Sequence, residues 1–270
     1  MVLHDPSTGT KAMPDTSPTE TNAPIVATYR QRTPASAALH ARASHVLPGG
    51  LAHDTRYMKP WPIYVDRAQG ARKWDADGNE YVDYMGGHGA LLLGHGHPAV
   101  TAAARAQLDR GTHYGSCHAL EAEWAELICA MVPSAEKVRF TASGTEATLL
   151  AVRLARALTG RTKVVHFSTH FHGWHDHFAA GYMDHFDGSA PRGVLPEVAA
   201  DVLPARTDRP DAVRALLEGR DDIAAVFLEP TGASWGRVPV DPGFVAMLRA
   251  ITADRGVLLV FDEVISGFRV

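Results

Sequence analysis

The spacing of apolar and polar positions changes character along the chain. From about Pro34 to Leu47 small apolar residues recur at helical spacing, and Pro48-Gly49-Gly50 stops the run. Ile63–Val65, Ala71–Trp74 and Tyr81–Met85 are short β-like runs, with Asp77-Gly78 set to turn the chain between the last two, as in a hairpin meander. His97-Pro98 then opens a helix reaching toward Gly111, proline being tolerated in a first turn. A second helix is predicted over about Leu120–Met131, ended by Pro133.

Beyond that point strand-like and helix-like segments alternate. Val138–Thr141 reads as a strand, Gly144–Leu158 as a helix, Lys163–Phe167 and Ile223–Leu228 as strands, Pro242–Asp254 as a helix and Val257–Phe261 as a strand. Such alternation predicts an α/β fold, a mostly parallel, doubly wound sheet covered on both faces. Ala147, Leu150, Ala151 and Leu154 are the expected sheet-facing side of the helix at Gly144. The expected organisation is a disordered tail over 1–33, an N-terminal α+β segment over 34–90 and a large domain over 91–270. The tail is read from the Thr-, Pro- and Ser-rich start, which lacks the basic-then-apolar order of a signal peptide. The last residues, ISGFRV, follow an apolar strand with no closing helix, so the chain is expected to be the front part of a longer protein.

Composition narrows the function classes. With 46% hydrophobic and 21% charged residues the chain has ordinary globular material for a core. A net charge of −4 gives no basic footprint, so nucleic acid is not an expected partner. No apolar run approaches the ~18 residues of a membrane span, and two cysteines, Cys117 and Cys129, build no disulfide scaffold. A soluble, cytoplasmic protein is expected.

Four segments carry candidate chemistry. Ser143-Gly144-Thr145-Glu146-Ala147 lies between a strand and a helix and fits a capping box. A glycine and two hydroxyls at a helix start favour a phosphate through free amides and the helix dipole, although a well-made helix start alone would read the same way. Asp262 ends the apolar run Leu258–Phe261, at the strand end where parallel sheets place ligands. A carboxylate there needs a cationic or hydrogen-bonding partner, which a pyridinium N–H would supply; the alternative is an aspartate capping the next turn. Glu229 repeats the pattern at the end of Ile223–Leu228. The run His170-Phe171-His172-Gly173-Trp174-His175-Asp176-His177 admits two further readings. It approximates the HxHxDH pattern of a zinc-dependent hydrolase, with zinc on His170, His172 and His175; or Phe171 offers an aromatic face to a flat ring. A plain histidine-rich loop is equally consistent.

In this order the pieces resemble class III aminotransferases, pyridoxal 5'-phosphate enzymes of the type I fold, and in particular their glutamate-1-semialdehyde 2,1-aminomutase branch. LPGG with Arg56 after it, GARKWDADGNEYVDYM, LLLGHGHPAV, VRFTASGTEATLLAVRLARALTGRTKVV, HFHG, AAVFLEP and LLVFDEVISGFR carry the resemblance from about Leu47 to the last residue. It implies that Ser143, Gly144 and Thr145 bind the cofactor phosphate, that Phe171 stacks on the ring, that Asp262 pairs with the ring nitrogen and that Glu229 stands beneath the cofactor. It implies a substrate carboxylate on Arg56, a bidentate task suited to guanidinium. It further implies a homodimer, small-molecule amine and carbonyl substrates, and no resident metal.

Three residues depart from the aminomutase pattern: Phe171 replaces a tyrosine, Ser234 an asparagine, and His88 a tryptophan lining the substrate pocket. These changes favour an aminotransferase taking its amino group from a carboxylate-bearing donor, a β-amino acid being one such donor, with the aminomutase reaction as the alternative. The family's Schiff-base lysine lies downstream of the FDE strand, and no lysine follows Lys163. The 270 residues on their own are therefore expected to be inactive.

Overall fold

The computed structural model describes residues 23–232 and 239–269, so Ser234 lies outside the described residues. The chain divides into two compact units, 1–112 and 113–270.

The first unit holds α1 (Ala23–Arg32), α2 (Pro34–Ala43), an antiparallel sheet of β1 (Val65–Gln69), β2 (Arg72–Asp75) and β3 (Glu80–Val82), and α3 (Pro98–Leu108). Asp75 organises the predicted hairpin. Its carboxylate accepts the Asp77 and Asn79 amides at 3.0 and 2.8 Å and the Tyr81 hydroxyl at 2.7 Å. Asp77 then reaches out of the turn to accept the Ala35 and Ser36 amides at 2.6 and 3.0 Å, so the hairpin caps α2 from a distance in sequence.

Two boundaries differ from expectation. The tail expected over 1–33 is helical from Ala23, and residues 1–22 lie outside the described residues. The helix is tied down: Tyr29 donates to the Trp61 carbonyl at 2.7 Å, and the Trp61 indole donates to Thr33 at 3.0 Å. The division between units falls after Thr112 rather than near residue 90. Gly70 and His95 exchange two main-chain bonds, and His95 Nε2 lies 2.7 Å from Asp83, holding the chain that enters α3 against the first sheet.

The second unit contains α4 (Ala119–Met131), α5 (Gly144–Thr159), β4 (Lys163–Phe167), α6 (Pro196–Ala199), β5 (Val202–Ala205), α7 (Pro210–Glu218), β6 (Ile223–Leu228), α8 (Pro242–Asp254) and β7 (Leu258–Phe261). Its four strands run parallel in the order β5-β4-β6-β7, the expected α/β arrangement. Alternate residues serve opposite faces. Val165, Phe167, Val226 and Leu228 pack with Val213 and Leu217 of α7 and Phe244, Leu248 and Ile251 of α8. Val164, Ala225 and Phe227 pack with Val152 and Ala155 of α5. Covered on both sides, β6 is buried at every position, which is why IAAVFL is apolar without alternation.

Three readings are corrected here. Val138–Thr141 pairs with no strand among the described residues; Phe140 instead stacks on Trp124 at 4.2 Å. A β-like composition is not sufficient without a neighbouring ladder to receive its amides. Of the expected face of α5 only Ala151 packs against the core; the buried positions are Thr148, Val152 and Ala155, and Leu150 and Leu154 are exposed. Small residues let the helix approach the sheet closely where leucines would hold it off. Finally, β5 and α7 were not anticipated: Pro204 argues against a strand, yet β5 is an edge strand, where a missing amide is tolerated.

Leu248 is fully buried between α8 and the sheet. Leu248→Ala is expected to lower stability by about 3 kcal/mol, read as a reduced urea midpoint with an unchanged m-value.

Candidate active site

Parallel pairing brings the ends of β4, β6 and β7 to one edge of the sheet, with Val226 opposite Val165 and Leu228 opposite Phe261. The residues that follow each strand therefore collect there. Asp262 is anchored by its amide, which donates to the Leu228 carbonyl at 2.8 Å. Its side chain is 7% exposed; Oδ2 lies 2.9 Å from His172 Nδ1, and Oδ1 accepts the Val264 amide at 3.2 Å.

The loop after β4 is clasped to the end of β6 by two bonds. The Phe171 amide donates to Glu229 Oε1 at 2.6 Å, and the Glu229 amide donates to His170 Nδ1 at 3.0 Å. Burial pushes the Glu229 carboxyl up, against the opposing effect of the Phe171 amide. Phe171 is 48% exposed, its ring 5.0 Å from that of Tyr182, so an aromatic face is open at this edge.

The start of α5 completes the arrangement. Ser143 is the N-cap and accepts the Glu146 amide at 3.2 Å. Glu146 returns to accept the Ala142 amide at 2.7 Å, one residue earlier than a standard capping box. The first-turn amides of Gly144 and Thr145 have no carbonyl four residues back to receive them. A Cβ on Gly144 would stand 3.0 Å from Val264 Cγ2, so this helix start touches the segment carrying Asp262. A Cβ on Gly173 would meet Thr145 Oγ1 at 2.7 Å, and Gly173 has φ +96°. The buried Thr148 donates to the His172 carbonyl at 2.6 Å.

Ser143, Gly144, Thr145, Phe171, Glu229 and Asp262 thus converge in one unit. Arg56 and His88 belong to the other unit. Arg56 is exposed at the end of a short 3-10 turn, while His88 has φ +60° and lies 3.2 Å from Thr55 Oγ1, which also meets His53 at 3.0 Å.

The zinc reading finds no ligand set among the described residues. Among the described residues no group of three or more His, Cys, Asp or Glu is placed to hold a metal ion. His170 and His172 use one nitrogen each on Glu229 and Asp262, and His175 Nε2 lies 3.2 Å from Thr148. Their rings pack against Phe167 and Phe178. Burial first, then neighbouring imidazoles, pull His170 and His175 down to about 4, and His166 to about 3. Thr148 and Gly173 are the site residues that sequence reasoning missed, and His172 entered it only as a zinc ligand, not as a partner of Asp262. The one available signal was HFHG itself, in which a glycine after His172 marks a close approach of the loop.

The profile of the family described as aminotransferase class-III matches residues 54–269. The glutamate-1-semialdehyde 2,1-aminomutase of Desulfitobacterium hafniense is 44% identical over 238 residues, which are 85% of this chain and 55% of that protein. A β-phenylalanine aminotransferase from Variovorax paradoxus superposes with a TM-score of 0.81 at 32% identity, covering 90% of this chain and 54% of that one. A transaminase with pyridoxal phosphate bound superposes with a TM-score of 0.79 at 36% identity, covering 86% and 55%. The chain thus spans about half the length of the relatives it matches.

Two outcomes are expected. Gly173→Ala forces a Cβ against Thr145 at positive φ and is expected to cost about 2 kcal/mol, measured by urea denaturation. The histidines also set an acid limit. Their folded pKa values lie below the ordinary 6.5, so the unfolded chain takes up protons that the folded chain refuses. Their contribution is complete above about pH 6.5 and is lost as the pH falls through each folded value. The urea midpoint is expected to drop between pH 6.5 and 4.5, and His166→Leu is expected to make that drop shallower.

Proposed function

Because the chain belongs to the class-III aminotransferases, a family of pyridoxal-phosphate enzymes acting on small molecules, we propose that it supplies the cofactor-holding part of an aminotransferase. The amino group moves from a carboxylate-bearing amine donor to a carbonyl acceptor. The observation that carries this reading is the nearly buried Asp262 carboxylate, held by His172 at one edge of the sheet, on the segment whose Val264 touches the start of α5.

The residues fit the cofactor chemically. A nearly buried carboxylate, its oxygens met by an imidazole and one amide, suits a pyridinium N–H. The half-exposed Phe171 offers a face to a flat ring. Ser143, Gly144 and Thr145 begin a helix whose amides and dipole favour a phosphate. Pyridoxal phosphate, when bound, supplies an electron sink for charge developing at the substrate carbon. Asp262 would keep the ring nitrogen protonated, Glu229 would hold the Phe171 main chain so that the ring keeps its place, and Arg56 would receive a substrate carboxylate.

The donor reading rests on Phe171, His88 and Ser234 in place of the residues of the aminomutase pattern, and likeness to the β-phenylalanine aminotransferase supports a β-amino acid. The aminomutase reaction is favoured by the 44% identity to the Desulfitobacterium protein. A homodimer in the cytoplasm completes the proposal; among the described residues no helix is long and apolar enough to cross a membrane.

Full-length protein loaded with pyridoxal phosphate is expected to transfer the amino group of β-phenylalanine to a 2-oxo acid, followed by chromatography. Formation of 5-aminolevulinate from glutamate-1-semialdehyde, without such transfer, would establish the aminomutase instead. Asp262→Asn is expected to lower turnover by roughly a hundredfold or more, as loss of a buried charge-assisted bond implies.

A further inference from the structure

Tyr182 stands beside Phe171 with a hydroxyl that the fold does not use. The ring centroids are 5.0 Å apart and the planes meet at 57°, so the two rings form one aromatic corner. Tyr182 is half-buried, yet its hydroxyl is neither buried nor hydrogen-bonded among the described residues. The chain fixes this ring from below. Phe178, Ala180 and Gly181 are buried, and the chain turns outward at Tyr182, with Met183 and Asp184 exposed. Gly181 lies against His166, where a Cβ would stand 2.7 Å from His166 Cε1, and has φ +86°. Its carbonyl accepts the Thr169 amide at 2.8 Å, and its amide donates to the Asp184 carbonyl at 2.9 Å. Thr169 makes its bond at φ +71°, a region that β-branched residues rarely enter. Strain of this kind persists where the surroundings over-determine it, and it collects at ligand clamps and active sites. Here it fastens the loop bearing Tyr182 to the chain two residues before Phe171.

We infer that Tyr182 is a specificity-determining residue, its hydroxyl donating a hydrogen bond to the carboxylate of the amino donor. This rests on the proposed function, in which Phe171 faces the cofactor ring and Arg56 receives that carboxylate. A carboxylate only accepts, at about four lone-pair sites, and a bidentate guanidinium leaves about half of them for a further donor. A phenol suits that place because it donates without bringing a second cation beside the first. The hydroxyl stands on a neighbouring, tilted ring and not at the far end of Phe171, so it favours donors of another shape than the aminomutase pattern does. A ring held only for packing would serve as well without its oxygen.

The test compares full-length protein with its Tyr182→Phe variant, which keeps the ring and removes the oxygen. The donor is β-phenylalanine, or glutamate-1-semialdehyde where that is the substrate turned over. The variant is expected to lose roughly tenfold to a hundredfold in kcat/KM, the worth of one hydrogen bond to a charged group. The loss is expected in KM with kcat nearly unchanged, since the carboxylate is held alike before and during the reaction. Calorimetry is expected to show the same weakening for 3-phenylpropanoate, which has the carboxylate and no amine. Pyridoxal phosphate affinity is expected to stay within about twofold, and the urea midpoint to stay unchanged, two readouts that a packing role would move. Equal kcat/KM and equal 3-phenylpropanoate binding in the two proteins overturn the inference alone. So does a loss of pyridoxal phosphate affinity in place of a loss of donor affinity. Absence of turnover by the unmodified protein with either substrate defeats the proposed function, and the inference falls with it.

Discussion

Parallel pairing of β4, β6 and β7 is the constraint on which the second unit depends. A strand buried on both faces by α5 on one side and α7 and α8 on the other has no freedom to slip, because a one-residue shift would exchange its two apolar sets. Register fixed in this way also fixes where each strand stops. Phe167, Leu228 and Phe261 are the last ladder residues, and Glu229 and Asp262, the residues directly after β6 and β7, are delivered within hydrogen-bonding reach of the loop that follows β4. Packing therefore positions the chemistry, and no side chain of the site has to find its place alone.

That delivery has a cost in desolvation. Four histidines in this region have pKa values held down by burial, and His166 buries both ring nitrogens without partners in the core under Gly181. An apolar residue at His166 would serve the core better, while His170 and His172 convert the same burial into fixed bonds to Glu229 and Asp262. The loop as a whole trades stability on the acid side for one settled arrangement around Phe171.

Much of this was legible beforehand where the physics is local or strictly periodic. Lys163–Phe167, Ile223–Leu228 and Pro242–Asp254 are apolar runs with clear punctuation, and the structure has them at those bounds. The N-cap at Ser143 was equally readable, since a capping residue announces itself within four positions. What failed depended on distant partners. The strand expected at Val138–Thr141 lacked a neighbour, β5 was hidden by a proline that only an edge position excuses, and the docked side of α5 is set by how close the sheet lies rather than by where the leucines fall. In the site, Asp262 and Glu229 were visible as strand ends. The pairing of His172 with Asp262, ninety residues apart, was not, because nothing local to HFHG distinguishes a metal ligand from an orienting imidazole.

The clasp between Glu229 and the Phe171 amide bears on the departure at that position. A hydroxyl lost from the ring removes a possible contact at its far end, yet the ring's location is set at the main chain, by a 2.6 Å bond from its own amide and by the adjacent bonds of His170 and His172. Under the proposed function phenylalanine would therefore keep the stacking surface while lacking the hydroxyl of the aminomutase pattern. Under the proposed function the departure would bear on which donor is accepted rather than on retention of the cofactor. A pocket changed in that way would discriminate among donors through the polar groups it no longer satisfies, and discrimination of that kind is worth more than the gain or loss of a methylene.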